Sequence, residues 1–219
     1  MNYFFVALLI LFVILGFIKY NILNKKILNN KKESLNSFEI GRQGEQYICD
    51  SIEKKLDIYY KLIRNVYIPI EGKKTEIDIL LVTSFGIYVI ESKNYHGTIY
   101  GDENDFKWTQ YFSKQKTYQL PNPIKQNNYH IQFLSDYSRK DKNNFKSYIV
   151  FGKDTIIKKI KYNHLNTTIA NSNWLIEYLR DDMHHSDIIY SHEEIDKIYI
   201  DLKYYCEHSN LSSSDNNPN

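Results

Sequence analysis

The chain has 219 residues, with 28 Lys and Arg against 26 Asp and Glu, and so a net charge of +2 when histidine is neutral. Two cysteines, Cys49 and Cys206, stand in no CxxC or Cys/His ligand spacing, which argues against a disulfide framework or zinc knuckle and predicts two buried thiols in a reducing compartment. The first 32 residues hold five lysines and no acid, leaving residues 33–219 with 23 basic and 26 acidic groups, a net −3 that excludes a polybasic nucleic-acid binder.

Tyr3 to Ile18 carries no charge, and Tyr3 to Leu23, with Lys19 snorkelling, just reaches the roughly 20 residues of a membrane span. No basic residue precedes the run and no small-x-small cleavage site closes it, while Lys25, Lys26, Lys31 and Lys32 follow it. These features predict a single-pass anchor over 1–23, a basic polar linker over 24–37 and, by the positive-inside rule, an outside N-terminus with a cytoplasmic domain over 38–207. Ile40 to Leu56 predicts an amphipathic helix with Ile48, Ile52 and Leu56 on its apolar stripe. Glu45 falls on that stripe, where it either faces a positive partner or simply favours the helix N-terminus. Tyr60 to Ile68 predicts a strand ended by Pro69.

Thr75 to Val82 and Ile87 to Lys93 are β-branched, apolar runs around the turn signal Thr83-Ser84-Phe85-Gly86, which predicts a hairpin. A two-residue loop at Ser84-Phe85 would pair Val82 with Ile87, Leu80 with Val89 and Asp78 with Glu91, with Lys93 on the same face. A three-residue loop closed by Gly86 would slip the register by one and turn Asp78 away. Carboxylates inside apolar runs are costly to bury uncompensated, so the arrangement reads either as a metal site beside a lysine or as a cross-strand Glu-Lys pair on an exposed face.

Asn94 to Gly101 predicts a turn into a short strand and Phe106 to Tyr111 another, so that the sheet continues as a meander. Asn122-Pro123 predicts a helix start, with Ile124, Ile131 and Leu134 on its stripe through Tyr137, and with Gln126 and His130 one turn apart on its flank as surface or capping residues. Ser147 to Phe151 and Thr167 to Ala170 predict two more strands, and a helix starts near Asn171. Ser191-His192-Glu193-Glu194 is a capping-box pattern that opens a last helix through Tyr205. Lys153, Lys158, Lys159 and Lys161 read as a solvated face, His184-His185 as a loop, and Ser209 to Asn219 as a disordered tail. This alternation predicts an α/β domain with a mixed sheet and flanking helices.

Several of these segments fall in a recognisable order: Ile40-Gly41-x-x-Gly44-Glu45, Asn65 to Pro69, Thr75-Glu76-Ile77-Asp78, Gly86 to Tyr95 with Gly97, Trp108, and Asn122-Pro123-Ile124-x-Gln126. In that order and spacing the chain resembles the nuclease-related domain (NERD) family over about Phe38 to Lys140. The resemblance implies a PD-(D/E)xK, restriction-endonuclease-like core whose active site here would be Glu45, Asp78, Glu91 and Lys93, with Gln126 matching the glutamine of the helix motif. Asp78, Glu91 and the backbone carbonyl of Ser92 offer oxygen ligands to Mg²⁺ or Mn²⁺. The expected function is a membrane-anchored, metal-dependent nuclease acting on nucleic acid, DNA more than RNA. The competing expectation is a catalytically silent tethered module that binds nucleic acid or protein on the same fold; a module freed from catalysis has no physical need for three inward acids.

Overall fold

The computed structural model of the protein describes residues 2–211 except 71, 72, 115, 164 and 166; the side chains of 2–14, 17, 18, 28–37, 70, 73 and 207–211 also lie outside the described set. The chain divides into two compact units, 1–42 and 43–219, and helix α1 (Asn2–Lys55) contributes residues to both. Most side chains of the expected anchor lie outside the described residues. Among the described residues, no helix is long and apolar enough to cross a membrane.

The second unit holds a five-stranded mixed sheet in the order β1 (Tyr60–Ile70), β2 (Lys73–Thr83), β3 (Gly86–Lys93), β7 (Phe145–Phe151), β9 (Thr167–Asn171). The first three strands run antiparallel, and β7 and β9 add in parallel. β-branched and aliphatic side chains on both faces of β2 and β3 suit a doubly covered sheet. One face packs under α2 (Pro123–Ser138) and α4 (His192–Leu211), with Leu80, Val82 and Val89 meeting Ile131, Leu134 and Ile195. The other packs under the end of α1 and α3 (Leu175–His184), where Leu81, Tyr88 and Ile90 meet Ile48, Ile52 and Leu179. Cys49 is a buried thiol in that second layer, and burial pushes it up to about 11; Cys206 is only half-buried, so the expectation of two buried thiols holds for Cys49 alone.

The hairpin has the two-residue loop and the expected register, pairing Thr83 with Gly86, Val82 with Ile87 and Leu80 with Val89. Thr83 Oγ1 accepts from the Phe85 N–H at 3.1 Å and donates to the Gly86 carbonyl, so the turn is closed by a side chain. Gly86 has φ 136°, and the carbonyl of Asn144 sits where a Cβ would stand, at 2.9 Å. No larger residue fits this turn.

Several expectations change. Pro69 does not end β1, because β1 is an edge strand whose free side needs no N–H. The predicted meander is instead a separate four-stranded sheet in the order β6 (Lys116–Pro121), β5 (Lys107–Ser113), β4 (Gly97–Asp102), β8 (Thr155–Lys161). Lys158, Lys159 and Lys161 lie on β8, a strand hidden in the sequence because a register shift at Lys159, with φ 52°, brings Ile157 and Ile160 toward the same core although they are three residues apart. The two sheets share a seam: β3 and β7 end paired at Lys93 and Phe151, and their continuations re-pair at Gly97 and Thr155.

Two helix starts follow the sequence signals. The Asn122 side chain accepts from the N–H groups of Ile124 and Lys125 while its Nδ2 donates to the carbonyls of Asp102, Glu103 and Asp105, tying α2 to the second sheet. Ser191 and Glu194 exchange backbone and side-chain hydrogen bonds at 2.8 and 3.2 Å.

Candidate functional site

The regular ladder breaks at Asp78. Partners on β1 and β2 run through Arg64 with Ile79 and resume at Val66 with Ile77, skipping Asn65 and Asp78. On the other side, the β2–β3 pairs stop at Ile79 with Ile90, so Asp78 lies opposite Glu91 in register but outside the ladder. Asn65 has φ 56°, a left-handed conformation that asparagine tolerates better than most residues.

This kink resets the alternation of side chains. Ile77 and Leu80 share the face under α2 and α4 although they are three residues apart, while Ile79 and Leu81 face α1 and α3. β1 does the same, with Ile63 and Val66 on one face. A strict period of two over the whole hairpin, as expected from sequence, therefore fails at Asp78.

Asp78 Oδ2, freed from ladder geometry, accepts the Ser92 N–H at 2.7 Å. On the α2 face, Glu91 is 1% exposed and its Oε1 takes Lys93 Nζ at 2.5 Å. Lys93 Nζ also reaches Gln126 Oε1 at 3.3 Å. Gln126, expected as a flanking residue from spacing and as a site residue from resemblance, is thus in the site. His130 is as well, contrary to the surface or capping role expected of it: it is 0% exposed, with Nδ1 3.4 Å from Glu91 Oε2 and Nε2 3.3 Å from Thr75 Oγ1. Only its position one turn after Gln126 on the stripe side could have pointed to it.

Glu45 is half-buried, and its Oε2 lies 3.5 Å from Asn65 Nδ2, which also donates to Glu76 at 2.5 Å. Since α1 starts at Asn2, Glu45 lies inside a helix and the reading as a helix-N-terminal acid does not hold. Arg64, on the facing strand, donates to the neighbouring Gln46 at 2.8 Å. Helix and site approach closely here, since a Cβ on Gly44 would stand 2.7 Å from Asn94 Cβ. Glycine beside Glu45 lets α1 come down on the segment that follows Lys93.

Burial raises the pKa of Asp78 well above the usual carboxylate value, with Glu91 and Glu45 adding to it against Lys93 and the Ser92 N–H. Burial likewise raises Glu91, offset by Lys93 and reinforced by Glu45 and Glu76. Burial alone would lower Lys93, but Glu91, Tyr95 and Asp78 outweigh it and hold the ammonium charged. Burial and then Lys93 push His130 down to about 4, so its ring is neutral at pH 7.

Such a cluster is short of positive charge. Glu91 Oε2 is buried without a hydrogen-bond partner, and the only cation at hydrogen-bond distance from Glu91 is Lys93 among the described residues. The donors present fit Mg²⁺, which keeps several waters and needs one or two carboxylates. They do not make a site for a metal that demands three side chains, as no group of three His, Cys, Asp or Glu is placed to hold an ion among the described residues. Ser92 directs its N–H to Asp78 while the carbonyl of Lys93 is taken by the N–H groups of Gly152 and Tyr95. N–H and C=O of one strand residue point the same way, so the Ser92 carbonyl faces the Asp78 side. A cavity of about 540 Å³ lies elsewhere, against residues such as Asn128, Lys146 and Thr168. His184 ends α3 and His185 caps it, with His185 Nδ1 2.8 Å from the Asp181 carbonyl, so the pair stands at a helix end and not in the expected loop.

A family model described as a nuclease-related domain matches residues 40–152. An uncharacterised protein of Bacillus anthracis is 36% identical over 96 residues, which are 43% of this chain and 44% of that protein, so the match spans less than half of the relative's length. The crystal structure of a protein of unknown function, AF1548, superposes over 77% of this chain and 99% of its own, with a TM-score of 0.31 and 10% identity.

Proposed function

This chain belongs to the nuclease-related domain (NERD) family, and we propose that it is a metal-dependent nuclease of the PD-(D/E)xK type that hydrolyses phosphodiester bonds in nucleic acid, DNA more than RNA. The observation that supports this reading is the gathering of Asp78, Glu91, Lys93 and Gln126 at a break in the sheet ladder, with a buried carboxylate oxygen lacking a partner. Asp78 and Glu91, both pushed up by burial, face the single ammonium of Lys93, and a binding module would keep that excess of negative charge for no gain.

Asp78, Glu91 and the Ser92 carbonyl would hold Mg²⁺ or Mn²⁺. When bound, the ion would neutralise the two carboxylates, polarise the scissile phosphate and lower the pKa of a water. Hydrolysis joins a water oxygen to phosphorus and breaks the P–O bond of the leaving strand. Lys93, charged and fixed between Glu91 and Gln126, donates to the phosphate oxygens as negative charge builds, at a site where no reorganisation is needed. Glu45 orients water from the α1 side through its place beside Asn65. The Tyr3 to Leu23 run would anchor the chain in the membrane, with the lysines that follow it keeping the domain cytoplasmic.

The full chain is to be incubated with single- and double-stranded DNA and RNA in Mg²⁺, Mn²⁺ or EDTA. Cleavage is expected only with metal and is expected to fall at least about 100-fold in Lys93→Ala. A folded chain that cleaves none of these, or a Lys93→Ala variant that cleaves as well as the parent, overturns the reading.

A further inference from the structure

We propose that His130 is a positioning residue that fixes the orientation of the Glu91 carboxylate toward the metal, an inference that rests on the nuclease reading above. Gln126 and His130 are four residues apart on α2 and so share one side of the helix. Gln126 addresses Lys93 and His130 addresses Glu91, so one helix turn governs both side chains of the Glu-x-Lys strand.

The terminal torsion of a glutamate is soft, and a single contact does not fix its plane. Lys93 engages only Oε1. His130 Nδ1 lies 3.4 Å from Oε2, and each of these two buried atoms lacks any aligned hydrogen-bond partner. A small rotation of the carboxylate joins them. Thr75 Oγ1, 3.3 Å from Nε2, can donate its hydroxyl proton there, which leaves the ring proton on Nδ1, aimed at Oε2. The ring has no freedom to drift, because the next-door Asn127 pins α2 to the strand pair: its Nδ2 donates to the Val89 carbonyl at 2.8 Å and to Ser147 Oγ at 2.9 Å. Glu91 is thereby held from both oxygens, and the spacing between its carboxylate and that of Asp78 is set before any ion arrives.

Partners that orient a metal-ligating side chain are typically worth 10–100-fold in metal affinity. The test uses the full chain and measures Mn²⁺ affinity by calorimetry or paramagnetic resonance, beside metal-dependent cleavage and thermal unfolding. His130→Phe keeps the ring volume and removes the donor; His130→Asn places an amide N–H near the position of Nδ1. Expected is a Mn²⁺ dissociation constant raised about 10–100-fold in His130→Phe with folding retained, and recovered to within about threefold of the parent in His130→Asn. Parent-like Mn²⁺ binding and cleavage in a folded His130→Phe overturns the proposal, as does an equal loss in both folded variants. A parent chain that neither binds Mn²⁺ nor cleaves overturns the nuclease reading itself, a result distinct from any difference among the variants.

Discussion

Asp78 and Glu91 are held against their own charge, since burial raises both pKa values and neighbouring acids add to the rise. A carboxyl whose folded pKa lies above its unfolded value binds its proton more tightly when folded. Its stabilising contribution is complete below the unfolded value and is lost as pH rises through the folded one. At neutral pH the metal-free pair therefore opposes folding. Asp78→Asn leaves an oxygen for the Ser92 N–H and removes a charge, so it should raise metal-free stability by about 1 kcal/mol in urea unfolding while abolishing cleavage. A lower midpoint for the variant would contradict the account of a strained pair. His130 shifts the other way, from 6.5 to about 4. Its contribution to stability is present above pH 6.5 and is lost as pH falls toward 4. Proton NMR of the imidazole rings should find His130 still neutral at pH 5.5 with a midpoint near 4, and a midpoint above 6 for His130 rules this out.

Secondary-structure elements place the site through one irregularity. Asn65 in a left-handed conformation and Asp78 across from it interrupt both ladders, and alternation on β1 and β2 resumes with a shift of one residue. Forcing a Cβ-bearing residue without a local hydrogen bond into that conformation costs about 1–2 kcal/mol. Asn65→Ala should therefore lower stability by about that amount, and Asn65→Gly should recover the backbone part of it while still losing the bridge to Glu45 and Glu76. Denaturant midpoints for the three chains give the answer; equal midpoints would mean that the kink needs no special residue. Caps, by contrast, were legible in the sequence: Asn122 and the Ser191-Glu194 box act through side chains within a few residues of the backbone they serve, so local pattern suffices.

At the scale of the whole molecule, the three apolar clusters found among the described residues lie in the second unit, built on residues from Ile48 onward. A chain beginning at residue 38 should unfold in one cooperative transition at the temperature of the full chain, as followed by circular dichroism. A markedly lower temperature would mean that residues 1–37 contribute to this core. The lysines of β8 and the β5–β6 hairpin stand on the second sheet, in a region whose 33–219 span is net −3, so attraction of a polyanion to this domain is local and not global.

Sequence alone determined the hairpin, the shared face of Glu91 and Lys93, and the start of α2, because each follows from turn signals, a period of two or a cap acting over short range, whereas the choice of the two-residue loop over a three-residue one closed by Gly86 came from the paired strands. It also carried the resemblance that named Glu45, Asp78, Glu91, Lys93 and Gln126. Tertiary structure decided the split into two sheets, since strand partners far apart in the chain are chosen by packing and not by local pattern. It decided the place of His130, whose burial against Glu91 depends on how α2 crosses β3. And it decided the orientation of Asp78, because a kink that resets the strand's phase arises from two strands meeting, which neither strand's residues state by themselves.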